Sequence, residues 1–471
     1  MLIAKALAAL PGEKDFRKVD VLVKNGKIAA IAEAGSLTDD EALDAEGLLL
    51  FPGAIDPHVH FDEPGFTHRE DFLHGTSEAA RGGVTTVIDM PCTSLPPITS
   101  LAALENKLSI VSKSAVIDFA FFGGVSGLLD DVSARKAIAG LAPMVLGFKC
   151  YFISGMDTFT AVTPVQFARA IERCAAVGRP LLLHAEDPGV IEEAQAALAA
   201  SRGTAAPGWK DYYASRPMEA ELKACSAALA LAGKNSSSLH VVHVGTAEAA
   251  RIVAAGGGSC ETCAHYLAFD DNDFDTLGAA LKTAPPVKET SQKALLWRML
   301  SEGSISFVTS DHAGAPDYEK FTGDALTAYG GIPGTGTLFP YLLSEGLFAK
   351  RLSLPRFLEA SSGAAAARYG ISGGKGSLSL GKDADFALVD PEASTIVAPS
   401  AMLSKSTITP FAGMRLAGKI AGTFVRGACA FGTPRLAARG APRALAKAVN
   451  SNDGTMLALP GSGKFIKWGY R

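Results

Sequence analysis

Two histidines of this chain stand two residues apart in Asp56-Pro57-His58-Val59-His60, after the apolar run Leu48-Leu49-Leu50-Phe51 and a Pro52-Gly53 turn. In an extended strand, side chains at i and i+2 point to one side. His58 and His60 therefore project together from a strand end. Two imidazoles so placed can hold one transition metal, zinc above all. The spacing is short, and two unrelated histidines would give the same string. Four further residues add weight: Lys149 in Gly-Phe-Lys-Cys-Tyr-Phe, His184 in Leu-Leu-Leu-His-Ala-Glu, His243 in His-Val-Val-His-Val and Asp311 in Val-Thr-Ser-Asp-His. Each stands at the end of an apolar run, where a polar group is costly unless paired. Singly, each has an ordinary account: a snorkelling lysine, satisfied core histidines, an aspartate capping a helix. Together they form a constellation at the same ends of five strands.

Four histidines and an aspartate can hold two divalent metals if an anion bridges them. Lys149 supplies one only when CO2 has carbamylated its amine, because a bare ammonium between two dications is repelled. Two ions about 3.5–4 Å apart would activate a shared water and polarise a substrate carbonyl. Asp311 would then be the general base, passing the water's proton to the leaving nitrogen.

These residues need a scaffold. Eight apolar stretches, 54–60, 85–90, 117–124, 147–152, 180–186, 238–244, 259–267 and 305–312, alternate with Ala-, Leu- and Glu-rich stretches such as 166–177 and 218–232. That rhythm predicts an α/β fold, a (β/α)8 TIM barrel over 53–376, with the candidate residues on its catalytic C-terminal face. A doubly wound sheet competes, but no G-x-G-x-x-G opens a helix after the first strand. Before the barrel, Asn25-Gly26 between apolar runs signals a hairpin. Short strands return at 383–389 and 420–425. Residues 1–52 and 377–433 are therefore expected to form one small β-sandwich-like module from both chain ends. Residues 434–471 carry seven basic residues against one acid, Asp453, a net of +6. They are expected to be a solvated or partly ordered basic tail rather than a segment packed on a neighbouring subunit.

The bulk numbers narrow the partners. Over 471 residues the net charge is −4, too mild for a nucleic-acid partner. No run of about 18 apolar residues and no charged-then-apolar leader is present, so neither a membrane span nor a signal peptide is expected. Seven cysteines, an odd number scattered along the chain, fit a reducing cytoplasm. Cys260 and Cys263 form a lone C-x-x-C and read as packed cysteines.

The chain resembles the cyclic amidohydrolases of the amidohydrolase superfamily: allantoinases, dihydroorotases and hydantoinases. The resemblance covers nearly all of residues 1–430. It rests on Asp56 to Gly65, Gly83-Val84-Thr85-Thr86 with Met90-Pro91, Gly147-Phe148-Lys149 and His184-Ala185-Glu186. It continues through His240 to His243, Glu261 to Leu267 and Ser310-Asp311-His312. It implies that His58, His60, Lys149, His184, His243 and Asp311 fill the metal-site positions, with two divalent ions, Zn2+ by expectation, and N6-carboxylated Lys149. It implies ring opening of a small cyclic amide or ureide, and a homo-oligomer, dimer or tetramer. His265 and His312 would support the ligands from behind, and His68 and His74 would lie on the first loop and helix surface. Ala284, within Lys282 to Pro286, matches a loop that contacts substrate through its backbone.

The choice of ring rests on fewer residues. Dihydroorotases carry an arginine two residues after the second histidine and an asparagine in a Met-Pro-Asn-Thr turn; this chain has Asp62 and Cys92 there. Ser154 to Phe159 and Asp211 to Pro217 look more like allantoinases. Hydantoinases share the aspartate of Asp62 but place a tyrosine at the position of Ser154. The expectation is an allantoinase-like hydrolase with Asp62, Cys92 and Ala284 at the substrate, and Asp62 either lines the pocket or pairs with Arg69. A dihydroorotase, another hydantoinase-type hydrolase, and a non-catalytic homologue acting as an assembly partner are the alternatives. The last would need a broken metal site, and all six positions are intact.

Overall fold

The computed structural model describes residues 1–439 and 454–471. Eight parallel strands follow one another in chain order. They are Ala54–Val59, Val84–Asp89, Asp118–Phe121 with its continuation Gly123–Gly124, Phe148–Tyr151, Leu181–His184, Leu239–Val241, Ser259–Cys263 and Phe307–Thr309. Each pairs with the next through contacts such as Val87 with Phe119, Lys149 with Leu182, and Thr262 with Val308. His60 N donates to His312 O at 2.8 Å and His312 N to His58 O at 3.3 Å, which joins the last strand to the first. The barrel is thereby closed.

Side chains leave each strand alternately inward and outward. Ile55, Ile88, Ala120, Phe122, Leu182 and Phe307 pack together in the interior. Val87, Phe119, Phe121, Leu181, Leu183 and Val308 pack with the surrounding helices. Strands buried on both faces read as unbroken apolar runs, so a lysine or histidine within one stands out. The helices start on side chains that accept free N–H groups: Asp71, Ser100, Thr163 and Thr246. Among the described residues no helix is long and apolar enough to cross a membrane.

A second sheet is built from both ends of the chain. Leu2–Ala8, Arg17–Lys24, Lys27–Glu33, Ala42–Asp44 and Leu49–Pro52 join Phe386–Ile396, Arg415–Val425, Ala428–Gly432 and Thr455–Met456. The seam is antiparallel, with Leu50 opposite Leu388. Asn25 and Gly26 close the second hairpin strand onto the third, both at positive φ (51° and 74°), as a two-residue turn requires.

The C-terminal segment departs from the solvated tail expected of it. Thr455–Met456 extends the second sheet. Lys464 O accepts from Phe119 N at 3.0 Å, and Ile466 N donates to Phe119 O at 2.8 Å, so the segment lies along the third barrel strand. Ile466 is fully buried in the barrel interior. Phe465 packs on Phe121 with ring centroids 5.3 Å apart, and the Arg179 guanidinium lies 4.2 Å from the Trp468 ring. Charge counting missed the alternation Phe465, Ile466, Trp468, Tyr470, whose apolar surface outweighs two lysines that reach past it to water. The basic residues Arg443 and Lys447, with Asp453, lie outside the described residues.

Barrel and sheet are fastened by a buried cation. Lys375 Nζ lies 2.5 Å from Asp118 on the third barrel strand, 2.5 Å from Asp385 and 2.8 Å from Asp383, all buried. Burial opposes the charge on Lys375, but Asp385 and Asp383 prevail and raise its pKa. Lys375→Ala would take the cation from Asp385 while Asp118 keeps Arg426 and Asp383 keeps Lys27, and breaking a buried ion pair costs about 3–5 kcal/mol. A urea unfolding midpoint clearly below wild type is expected; an unchanged midpoint would show that the network adds nothing.

Candidate active site

The strand ends bring His58, His60, His184, His243 and Asp311 to the wall of one cavity, with Lys149 buried beside them. His58 Nε2 lies 3.1 Å and His60 Nε2 3.3 Å from the same oxygen, Asp311 Oδ1. These three donors converge closely enough to hold an ion. Beside them, His184 Nδ1 faces His243 Nε2 at 2.9 Å, and the His58 and His243 rings are 5.4 Å apart. Lys149 is fully buried, and its Nζ has no hydrogen-bond partner. It lies 4.9 Å from the Tyr151 ring, which in turn stacks on His184.

Three of the four rings are aimed by what the other nitrogen does, while His243 Nδ1 has no partner. His58 Nδ1 meets Glu261 Oε1 at 2.6 Å, which leaves Nε2 to the cavity. His184 Nε2 meets Glu186 Oε2 at 2.9 Å, which leaves Nδ1 to face His243. His60 Nδ1 meets Thr93 Oγ1 at 3.3 Å. Carboxylates placed behind histidines in this way fix the tautomer and the ring orientation of metal ligands. Without a cation, the His184–His243 contact is a single N–H···N bond, and the same two nitrogens would be available to a cation placed between them.

Electrostatics fit the same use. Burial holds His58 and His243 well below the usual imidazole range, and His184 below it. Neutral imidazole is the form that binds metal. His60 is the exception. Burial opposes its charge, but Cys92 and Asp311 raise it to about 10, and bound metal would have to displace that proton. Burial would raise Asp311, yet His58 and His60 outweigh it and keep the carboxylate ionised. Burial lowers Lys149 to about 8 against the pull of Cys92 and Asp311. Its neutral amine is the form that adds CO2.

The cavity holds about 470 Å³, within the range of small-molecule sites. Its wall includes Cys92, Thr93, Tyr151, Arg216, Lys282 and Ala284. Cys92 and Ala284 thus line the cavity, with the Cys92 thiol 3.0 Å from Tyr151 Oη and 3.8 Å from His60 Nδ1. Asp62 does not. It is fully buried behind the wall, without a hydrogen-bond partner for either oxygen, and burial raises its pKa to about 7. The strand ends at Val59, and the Asp62 backbone is left-handed (φ 56°), so i+2 parity with His60 is broken. Nor does Asp62 bond Arg69, whose guanidinium pairs with Glu319 at 2.6 Å and stacks on Tyr329.

The outer histidines divide. His312 bonds buried Glu70 at 3.2 Å. His265 is buried with Nε2 unpartnered, against the Tyr266 ring. His68 pairs with Glu319, and His74 with Asp71, both half-exposed. Reading along the sequence missed the roles of Glu261, Glu186, Thr93 and Tyr151. A signal existed for the first: a glutamate inside the apolar strand Ser-Cys-Glu-Thr-Cys must find a partner when buried. It finds His58, His240 at 3.1 Å and the Thr309 hydroxyl at 3.4 Å.

Comparison with known proteins agrees with this geometry. The model of the Amidohydrolase family matches residues 49–429. An allantoinase of Rubrobacter xylanophilus is 38% identical over 419 residues, 88% of this chain and 90% of that protein. An allantoinase of Escherichia coli is 34% identical over 428 residues, 88% and 92% respectively. Among solved structures, the L-hydantoinase (dihydropyrimidinase) of Arthrobacter aurescens superposes with a TM-score of 0.88 at 29% identity, covering 99% of both chains. The dihydropyrimidinase of Brevibacillus agri gives 0.87 at 26% identity, covering 100% and 99%.

If Glu261 aims His58, Glu261→Ala should weaken zinc binding roughly 10- to 100-fold, the usual scale for losing such a support. Chelator competition would measure it. Wild-type affinity would show that His58 is aimed by packing alone.

Proposed function

The chain belongs to the amidohydrolase family, and from that premise we propose that it opens a neutral cyclic ureide, allantoin or a close relative, with two divalent ions held by His58, His60, Lys149, His184, His243 and Asp311. Its activity is hydrolysis of a ring C–N bond in a cyclic amide, of the allantoinase-like kind. One observation supports the ion site above the others. Two groups of neutral or ionised donors face inward around a lysine amine that has no partner. Carbamylated, Lys149 would give both groups a shared anion. Zinc is the proposed metal, given three or more imidazole donors.

Bound there, the ions would activate a water and polarise the scissile carbonyl. The chain's own residues do the rest. Glu261 and Glu186 hold His58 and His184 in one tautomer. Asp311, ionised and partly open to the cavity, takes a proton from the attacking water and delivers it to the ring nitrogen as the C–N bond breaks.

Three features favour a neutral ring over dihydroorotate. No arginine stands at position 62, and Asp62 is behind the wall. Cys92 cannot offer the two donors of an asparagine amide. The two wall cations are engaged: Arg216 by Glu186, and Lys282 by the carbonyls of Leu326 and Ala328. A cytoplasmic setting belongs to the same proposal, supported by seven unpaired cysteines. So does a homo-oligomer, supported by exposed Leu128, Val132 and Val165 at neighbouring helix starts. We also take 53–376 as the catalytic unit, with 1–52 and 377–433 as its supporting module.

Lys149→Ala should lose metal, read by elemental analysis, and short carboxylic acids should restore part of the activity; full occupancy would refute a bridging lysine. Asp311→Asn should keep its fold and lower kcat about 10²-fold or more, the scale of general-base loss; a wild-type kcat would remove Asp311 from that role. For substrate, losing a charge-assisted bond costs roughly 1.5–3 kcal/mol. kcat/KM for allantoin should therefore exceed that for dihydroorotate by at least about tenfold. Efficient dihydroorotate hydrolysis with no turnover of neutral rings would overturn the substrate reading.

A further inference from the structure

Part of the cavity wall has no secondary structure to hold it. Leu326, Ala328, Tyr329, Gly330 and Gly331 all line the cavity. Yet no helix or strand lies between Lys320 and the bridge at Ile332. Single backbone bonds from Ala325 N, Ala328 N, Tyr329 N and Gly331 N hold it in part, and two amines take up its carbonyls. Lys282 Nζ donates to Leu326 O at 2.9 Å and to Ala328 O. Lys320 Nζ donates to Tyr329 O at 3.2 Å and to Gly331 O at 2.8 Å. Four carbonyls within six residues are thereby tied to two ammonium groups.

Both lysines are buried, and neither forms an ion pair among the described residues. Burial and the nearby Arg216 lower Lys282 to about 8; burial and Lys282 itself lower Lys320 to about 7. Buried amines without a carboxylate are unfavourable, so they are not there to stabilise the fold in the ordinary way. Their bonds go instead to a stretch of wall that lacks a ladder. Lys282 has a second anchor: its Nζ lies 4.5 Å from the Tyr212 ring, and Tyr212 Oη donates to Thr283 O, next to Ala284 on the wall.

We infer that Lys282 and Lys320 are positioning residues for substrate recognition, which set the shape of wall segment 321–332 through its carbonyls. They act on how the ring is held, not on the proton transfers. The substrate half of this inference rests on the cavity taking a neutral cyclic ureide; the loop half does not.

The test uses the full-length metal-loaded enzyme and the variants Lys282→Met, Lys320→Met and Lys282→Arg. Hydrogen exchange of peptides spanning 321–332 should quicken at least about tenfold in either Met variant, because local protection reports local stability. KM for allantoin should rise at least about tenfold with a smaller fall in kcat, the pattern of lost binding rather than lost chemistry. Metal content should stay at the wild-type level, and Lys282→Arg should restore part of the protection. Wild-type exchange in both Met variants would overturn the inference. So would a kcat loss that matches the KM rise, or loss of metal, since either would mark a general structural role. If one Met variant fails to fold, the other decides, since each amine holds its own pair of carbonyls. If the wild-type enzyme does not turn over allantoin, the substrate proposal fails, and the exchange measurement still decides whether the lysines hold the wall.

Discussion

Lys149 is a fully buried lysine whose amine has no hydrogen-bond partner, and the mouth of the barrel is arranged around that fact. An unpaired ammonium in such a place is costly. The nearest carboxylates do not relieve it, since Asp311 is shared by His58 and His60, and Glu261 by His58 and His240. Converting the amine to a carbamate resolves the cost only if cations arrive with it. The histidines are oriented for that arrival, because Glu261 and Glu186 occupy the outward nitrogens. Ring geometry is thus set by carboxylates directly behind the rings, Glu186 two residues from His184 and Glu261 far along the chain from His58.

The scaffold makes such placement reproducible. Eight parallel strands end on one face, so residues from distant parts of the chain meet there without long loops. Ile466 is buried in the barrel interior, and Lys375 binds the third barrel strand to the second sheet. The C-terminal segment is therefore part of what keeps the strands in register, not an appendage.

Much of this was legible in the sequence, and the reasons are physical. Strands covered on both faces are continuous apolar runs, so their number and the polar residues at their ends could be read directly. His58, His60, Lys149, His184, His243 and Asp311 stood out because nothing apolar explains them. Three kinds of feature were not legible. Asp62 was misplaced because its place was carried over from the family's residue at that position, whereas the chain here turns left-handed and buries it. Glu261 and Glu186 were quoted as motif letters, but the partner of Glu261 lies 203 positions away, and no local pattern links them. The tail was judged by its charge, whereas its aromatic and aliphatic residues decide where it goes. Lys282 and Lys320 belong with the second kind, since their partners are backbone carbonyls, which carry no sequence signal.

The central claim is that the six residues hold two ions bridged by a modified Lys149. Anomalous diffraction at the zinc edge, from crystals of protein grown with added zinc, tests it most directly. The account predicts two peaks about 3.5–4 Å apart, one among His58, His60 and Asp311 and the other between His184 and His243, with Lys149 density extended beyond Nζ to both. A single peak, or none, beside an unmodified Lys149 amine in active protein would contradict it.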